Sequence, residues 1–223
     1  MAGETAALVG AIVLGVLYWV GWCWREGGGL PGLILKTGST ALLAVFAYMA
    51  GGPWLLVAGL ALSSAGDAFL AMDRPGEDKW LKPGMAAFFL AHVAYVALFW
   101  ALPQAERSLL NLGAQFALVI GGVAFVRWLA PSLGPMRIPV FAYTAIILVM
   151  GAAALRLPAP FLLVTLGAVM FVASDMILSL QLFTRPAGAP KRVGSSLAVW
   201  GLYFFGQALI AWGGVYPFLQ PAG

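Results

Sequence analysis

Long apolar runs recur along the whole chain, and short stretches rich in proline, glycine and charged residues separate them. Each run holds roughly 15 to 24 residues, the length of a helix that crosses a hydrocarbon core of about 30 Å. The pattern predicts a bundle of eight transmembrane helices. Their predicted limits are residues 6–24, 37–50, 54–72, 82–102, 109–129, 139–154, 159–182 and 193–212.

The number of spans has one alternative, because the second and sixth runs are short. The break between the second and third runs is also tight, since it consists only of Gly51-Gly52-Pro53. A bundle of seven helices is therefore the alternative to a bundle of eight.

Composition agrees with the membrane class. Of the 223 residues, 62% are apolar and 9% are charged. A soluble domain has about 45–50% apolar and about 25% charged residues, so this chain lacks the polar surface that a globule in water needs. We therefore expect an all-α polytopic membrane protein. Composition does not shift along the chain, so residues 1–223 are predicted to form a single domain.

Basic residues lie mostly on one side of the predicted bundle. With eight spans, only Arg107 and Arg156 fall on the opposite side. The other ten of the twelve basic residues are Arg25, Lys36, Arg74, Lys79, Lys82, Arg127, Arg137, Arg185, Lys191 and Arg192. Because cytoplasmic loops are enriched in Lys and Arg, both termini are predicted to lie outside the cytoplasm. We expect a multi-pass protein of the bacterial inner (plasma) membrane.

Several function classes do not fit the composition. The chain has one cysteine, Cys23, and one histidine, His92, so it lacks the paired Cys/His spacings of a zinc site. No basic face is long enough to follow nucleic acid. The sequence therefore implies no metal ion, no cofactor and no nucleic-acid partner, and it does not indicate an oligomeric state.

Two carboxylates lie inside apolar runs, Asp67 and Asp175, whereas all other charged residues lie in loops or at span ends. A charged residue at the centre of a membrane helix costs about 2.5–3.5 kcal/mol on insertion scales, so such a residue indicates function. At 1.5 Å per residue, both carboxyls are predicted roughly 8–10 Å inside the cytoplasmic boundary. We interpret the pair as facing one polar cavity. The alternative is a structural role, in which each carboxyl hydrogen-bonds a neighbouring helix.

Helical periodicity supplies further polar groups for the lining of such a cavity, and a packing role is the alternative for each of them. On the third span Gly59, Ser63 and Asp67 follow at steps of four and share one face. The fourth span presents His92 and Tyr95 on one face, the sixth contains Tyr143, and the eighth has Tyr203 and Gln207 one turn apart. His92 is either a buried structural histidine or a group that orients a carboxylate or carries a proton.

Two carboxyls that lie close together in a low dielectric do not both ionise easily, so one serves as an acid and the other as a base. This arrangement suits the hydrolysis of acetals or enol ethers, in which a poor base is protonated and a cation forms. A proton-coupled carrier of lipids or small solutes, with the same pair as the proton relay, is the alternative.

Five groups of residues follow one another along the chain. They are Gly66-Asp67 with Leu70; Gly84, Phe88, His92 and Tyr95; Tyr143; Gly167-Ala168 with Met170-Phe171, Ser174-Asp175 and Leu178; and Tyr203, Gln207 and Leu209-Ile210. Their order and spacing resemble those of the YhhN-like lysoplasmalogenase family over nearly the whole chain.

The resemblance implies hydrolysis of the vinyl ether bond of a lysoplasmalogen to a fatty aldehyde and glycerophosphoethanolamine or glycerophosphocholine. By this analogy one of Asp67 and Asp175 protonates the enol-ether carbon, and the other stabilises the oxocarbenium ion or activates water. Lys36 at the cytoplasmic mouth is expected to meet the lipid phosphate. The residues expected to line the substrate site are His92, Tyr95, Tyr143, Ser174, Tyr203 and Gln207. A lysophospholipid and the surrounding membrane lipids are the implied partners.

Overall fold

The computed structural model describes residues 2–25, 28–73, 79–186, 189 and 192–219, apart from the side chains of Phe218 and Leu219. Within these residues the chain forms eight α-helices and no strand. The helices are α1 (Ala2–Gly21), α2 (Gly29–Met49), α3 (Trp54–Met72), α4 (Leu81–Ala101), α5 (Leu109–Leu129), α6 (Arg137–Ala154), α7 (Leu162–Phe183) and α8 (Val193–Leu219).

Each of these eight helices is long and apolar enough to cross a membrane, which confirms the prediction of eight spans in a polytopic membrane protein. The alternative count of seven does not apply to the described residues. The orientation of the termini stays a prediction. Of the basic residues on which it depends, Arg74 and Lys191 lie outside the described residues.

The largest difference from the predicted limits is at the start of α2, which begins at Gly29 and not at residue 37. The glycines and Pro31 in this stretch suggested a loop. Pro31 is in the first turn of the helix, where backbone N–H groups have no intrahelical acceptor. Proline, which lacks the N–H, therefore costs no hydrogen bond at this position. Gly32 is buried, and a Cβ there would lie 3.2 Å from the Trp22 ring. These small residues therefore allow contact with Trp22 instead of ending the helix.

The break after α2 is a tight turn that keeps α2 and α3 separate. Gly51 has a φ of +70°, a conformation that glycine adopts without a steric penalty. The Gly52 N–H donates to the Ala47 carbonyl at 2.8 Å, which closes the end of α2. Pro53 precedes the first residue of α3 and cannot continue the earlier helix.

The end of α8 also differs from the prediction, because the helix continues to Leu219 past residue 212. Gly213 and Gly214 suggested an end. In the structure they are packing positions: a Cβ on Gly213 would lie 2.9 Å from the Leu163 Cβ, and one on Gly214 would lie 2.9 Å from the Leu56 side chain. Small residues of this kind let membrane helices approach closely.

Consecutive helices form contacting pairs, α1 with α2, α2 with α3, α3 with α4, and α7 with α8. The bundle closes because α4 packs on α6, α6 on α7, and α8 on α2. By contrast, α5 packs chiefly against α6 and contributes few buried residues. The centre of the bundle therefore lies among α2, α3, α4, α7 and α8, with α5 on the outside.

Two glycines of α3 bring aromatic side chains of α4 into this centre. A Cβ on Gly59 would lie 2.5 Å from the Tyr95 ring, and one on Gly66 would lie 2.6 Å from the Phe88 ring. The lack of a side chain at Gly66 leaves room for the Phe88 ring, which packs edge-on against Tyr203 of α8 at 5.8 Å between ring centroids.

Candidate functional site

Asp67 is the most enclosed acidic group of the described structure, with a side chain that is 2% exposed. Its Oδ2 accepts hydrogen bonds from Thr40 of α2 and Tyr203 of α8, each at 2.7 Å. Its Oδ1 lies 3.4 Å from the Lys36 Nζ. Lys36 and Thr40 are one turn apart on α2 and so present both groups on one face. The carboxylate is thus held by three donors from two helices, one of them cationic.

The part of α2 that carries Lys36 is itself fixed against α3. The Ser64 hydroxyl of α3 donates to the Thr37 carbonyl at 3.0 Å, and Ser39 donates to the Lys36 carbonyl at 2.8 Å. A buried ion pair is favourable only when its geometry is good and its remaining polar atoms are satisfied. The Ser64 hydrogen bond fixes α2 against α3 where Lys36 reaches Asp67, whereas the Ser39 hydrogen bond lies within α2 itself.

Asp175 has a different environment. Its Oδ2 accepts a 2.5 Å hydrogen bond from Tyr143 of α6, which is the one donor that the described structure gives it. The pair lies in the wall of a cavity of about 270 Å³ between α5, α6 and α7. The rest of the wall is mainly aliphatic or aromatic, including Leu118, Phe125 and Leu148. Asp67 is not part of this wall.

An aromatic layer separates the two carboxyls. The Tyr203 ring packs edge-on against Phe171 at 5.2 Å, Phe171 against His92 at 4.8 Å, and His92 against Tyr143 at 5.3 Å between ring centroids. Asp67 is bound at one end of this row and Asp175 at the other. The two carboxyls share no hydrogen-bond partner among the described residues.

His92 is fully buried at the centre of this layer. Its Nδ1 lies 2.6 Å from the Phe88 carbonyl oxygen. Because a carbonyl only accepts, the proton of the neutral ring is assigned to Nδ1, and Nε2 carries a lone pair. That Nε2 has no hydrogen-bond partner among the described atoms.

Three other residues predicted for the site, Tyr95, Ser174 and Gln207, connect helices to one another. Tyr95 donates to the Gln207 Oε1 at 2.6 Å, which joins α4 to α8. Ser174 donates to the Val199 carbonyl at 2.9 Å, which joins α7 to α8, so its hydroxyl is not directed at Asp175. Of the predicted substrate-binding residues, only Tyr143 lines the cavity beside Asp175.

Sequence reasoning missed Thr40, which is fully buried and donates to Asp67. The available signal was its position four residues after Lys36 on what proved to be one helix. The predicted start of the second span at residue 37 separated the two residues, so the shared face was not seen.

The fold and these groups define a class, the polytopic helical membrane proteins whose interior holds hydrogen-bonded carboxyl groups. The YhhN family model matches residues 32–214, and the chain belongs to the YhhN family, which confirms the resemblance in its motifs.

Relatives named lysoplasmalogenase, from Mycobacterium bovis and Mycobacterium tuberculosis, are each 30% identical to the chain over 161 residues. The match covers 71% of this chain and 59% of each relative, so it spans less than two thirds of their length. No solved structure shows a significant match.

Proposed function

We propose that the protein is a membrane-embedded hydrolase of the bacterial plasma membrane that cleaves the vinyl ether bond of lysoplasmalogens. The products are a fatty aldehyde and glycerophosphoethanolamine or glycerophosphocholine. The observation that carries the proposal is the Asp175–Tyr143 pair in the wall of an apolar cavity among three membrane helices. Membership of the YhhN family and the names of the relatives support the same activity.

The environments of the two aspartates support different roles. Asp67 receives three donors, including the Lys36 ammonium, and such a shell favours a carboxylate. Asp175 has one donor and an apolar surrounding, which suits a carboxylic acid that carries a proton. We therefore assign Asp175 as the acid and Asp67 as the fixed negative charge.

The reaction consumes one water molecule. Asp175 donates its proton to the alkenyl carbon remote from the ether oxygen, and the double bond becomes an oxocarbenium ion. Water adds to the cationic carbon and returns a proton to Asp175. The resulting hemiacetal passes its hydroxyl proton to the glycerol oxygen as the bond to that oxygen breaks, which leaves the aldehyde and the free glycerol hydroxyl. The negative charge of Asp67 offsets the positive charge that develops one aromatic layer away.

The remaining polar groups position these two. Lys36 and Thr40 hold Asp67, Tyr143 orients the Asp175 carboxyl, and His92 packs between Tyr143 and Phe171. The Lys36 ammonium faces Asp67. Its contact with the lipid phosphate, which the family resemblance implies, stays a prediction.

The test is fatty aldehyde release by the purified protein from a lysoplasmalogen, with the saturated alkyl ether analogue as the non-reactive control. Removal of an acid–base group lowers catalysis by about 10²–10⁴-fold, so Asp175→Asn is expected to lose at least about 10²-fold. Glu106→Gln is the matched control, because it also neutralises a carboxylate but at an exposed loop position. Both variants are checked for unchanged thermal unfolding.

Three results would reject the proposal: folded wild-type protein that releases no aldehyde, release from the alkyl ether analogue, or full activity of folded Asp175→Asn. In the first of these, proton flux in vesicles tests the carrier that uses the same aspartates.

A further inference from the structure

The cavity beside Asp175 opens sideways, at the depth of the membrane interior. Ala117 and Gly121 on its α5 wall and Met176 on its α7 wall are exposed on the outer surface of the bundle. All three lie well inside their helices, α5 and α7. A molecule that enters between α5 and α7 therefore comes from the lipid phase.

The lining of the cavity restricts what it can hold. Apolar side chains such as Leu118, Ile147 and Val172 form most of the wall, and the polar groups are few and include Asp175 and Tyr143. Ligand pockets usually have volumes of about 300–1,000 Å³. A volume of about 270 Å³ is close to the lower end of this range and accommodates part of one hydrocarbon chain.

We propose that this cavity binds the single hydrocarbon chain of the lysolipid, which enters from the bilayer between α5 and α7, and that Gly121 sets the chain length that fits. The proposal rests on the proposed function, because it places the alkenyl bond beside Asp175. The cavity holds one chain and requires no contact with the head group.

Two adjacent glycines of α5 have different roles in this wall. Gly122 is buried against Leu148, so a side chain there would displace the neighbouring helix α6. Gly121 lines the cavity, and a Cβ there would have no atom within 4 Å. A larger side chain at Gly121 is therefore added at the open edge of the cavity without displacing a neighbouring residue.

The test compares Gly121→Trp with Gly113→Trp. Gly113 is also in α5, has no atom within 4 Å of a built Cβ, and lies outside the cavity wall. The kcat/KM is measured for lysoplasmalogens with a decenyl and an octadecenyl chain. Changes of one methylene in an apolar pocket alter kcat/KM by about 10- to 200-fold. Gly121→Trp should therefore lower kcat/KM for the long chain at least about tenfold more than for the short chain.

Gly113→Trp should leave the ratio of the two kcat/KM values at the wild-type value. An equal loss for both chains in Gly121→Trp, or no loss for either, would overturn the proposal.

A second measurement does not depend on hydrolysis. An alkyl ether lysophospholipid with a photoreactive group in its chain is cross-linked to the full-length protein in nanodiscs, and the labelled peptides are sequenced. Labels are expected on α5, α6 and α7, with loss of labelling in Gly121→Trp and competition by unlabelled lysolipid. Labels confined to other helices would refute the chain site.

The two measurements separate the two proposals. If the wild-type protein labels at α5, α6 and α7 but hydrolyses no lysoplasmalogen, the chain site stands and the proposed activity fails. If it hydrolyses lysoplasmalogen but labels elsewhere, the activity stands and the chain site fails.

Discussion

The Tyr203 hydroxyl donates a 2.7 Å hydrogen bond to Asp67 over a sequence separation of 136 residues. The same Tyr203 ring packs against Phe171, which in turn contacts His92. One side chain of α8 thus holds the carboxylate of α3 and forms one end of the aromatic layer. The hydroxyl and the ring can be tested separately, because phenylalanine keeps the ring.

Tyr203→Phe is expected to destabilise the fold while it leaves the aromatic layer in place. Hydrogen bonds to charged groups contribute about 1.5–3 kcal/mol, and the free energy of unfolding should fall by that amount. Denaturant unfolding in detergent measures it. Tyr48→Phe is the control, because Tyr48 is 74% exposed and an exposed substitution changes stability by less than about 0.5 kcal/mol. Equal stability of the two variants would mean that the hydroxyl does not stabilise Asp67.

The Lys36–Asp67 ion pair predicts non-additive stability changes. Lys36→Met leaves a buried carboxylate without its cation, and breaking a buried pair costs about 3–5 kcal/mol. Lys36→Met combined with Asp67→Asn removes both charges. The double variant should therefore be more stable than the sum of the single changes predicts, by about 0.5–3 kcal/mol. Unfolding of the four proteins in the cycle gives this coupling energy, and additive changes would show that the pair does not form.

Substitution by alanine at two glycines is expected to have different effects on the stability of the fold. Gly66→Ala places a methyl group 2.6 Å from the Phe88 ring and should cost about 1–3 kcal/mol through overpacking. Gly113→Ala faces open space, and alanine favours a helix over glycine by up to about 1 kcal/mol. It should leave stability unchanged or raise it. Thermal unfolding compares the two, and a tolerated alanine at Gly66 would contradict the close approach of α3 and α4.

Isotope labels distinguish the proposed bond cleavage from its alternatives. In heavy water the fatty aldehyde should carry deuterium on the carbon next to the carbonyl, because Asp175 has exchanged its proton with solvent. In water labelled with oxygen-18, the glycerophospho product should contain no label, since its oxygen stays with glycerol. Mass spectrometry of both products measures this.

The isotope experiment has one contradicting result and one control. Label in the glycerol oxygen would exclude attack on the oxocarbenium carbon. Aldehyde that is incubated with Asp175→Asn in heavy water serves as the control for exchange after release.

The helices that were predicted most accurately are those with unambiguous ends. Residues 54–72 and 109–129 were predicted as spans, and α3 and α5 occupy Trp54–Met72 and Leu109–Leu129. Pro53 precedes α3, and the Ser108 side chain caps α5 by accepting from the Asn111 N–H. Gly32 allows close packing and does not interrupt the helix. Composition alone therefore predicted the wrong start for α2.

The partners of the two aspartates were harder to predict, for a physical reason. Hydropathy identified Asp67 and Asp175 as exceptional, and periodicity assigned residues to faces. Neither indicates which face of another helix lies opposite, because that depends on packing among helices far apart in sequence. The carboxyls were therefore expected in one cavity, whereas the described structure has Tyr203, Phe171, His92 and Tyr143 between them.

The connection from Asp67 to α8 has a consequence for biogenesis. Lys36 and Asp67 belong to consecutive helices, so α2 and α3 can leave the translocon as a hairpin whose opposite charges already offset each other. The hydroxyl of Tyr203 arrives only with α8, which is synthesised after α1 to α7. A nascent chain that has released α1 to α7 into the bilayer therefore still lacks one of the donors to Asp67. Membrane insertion of α8 is the step that completes this polar centre.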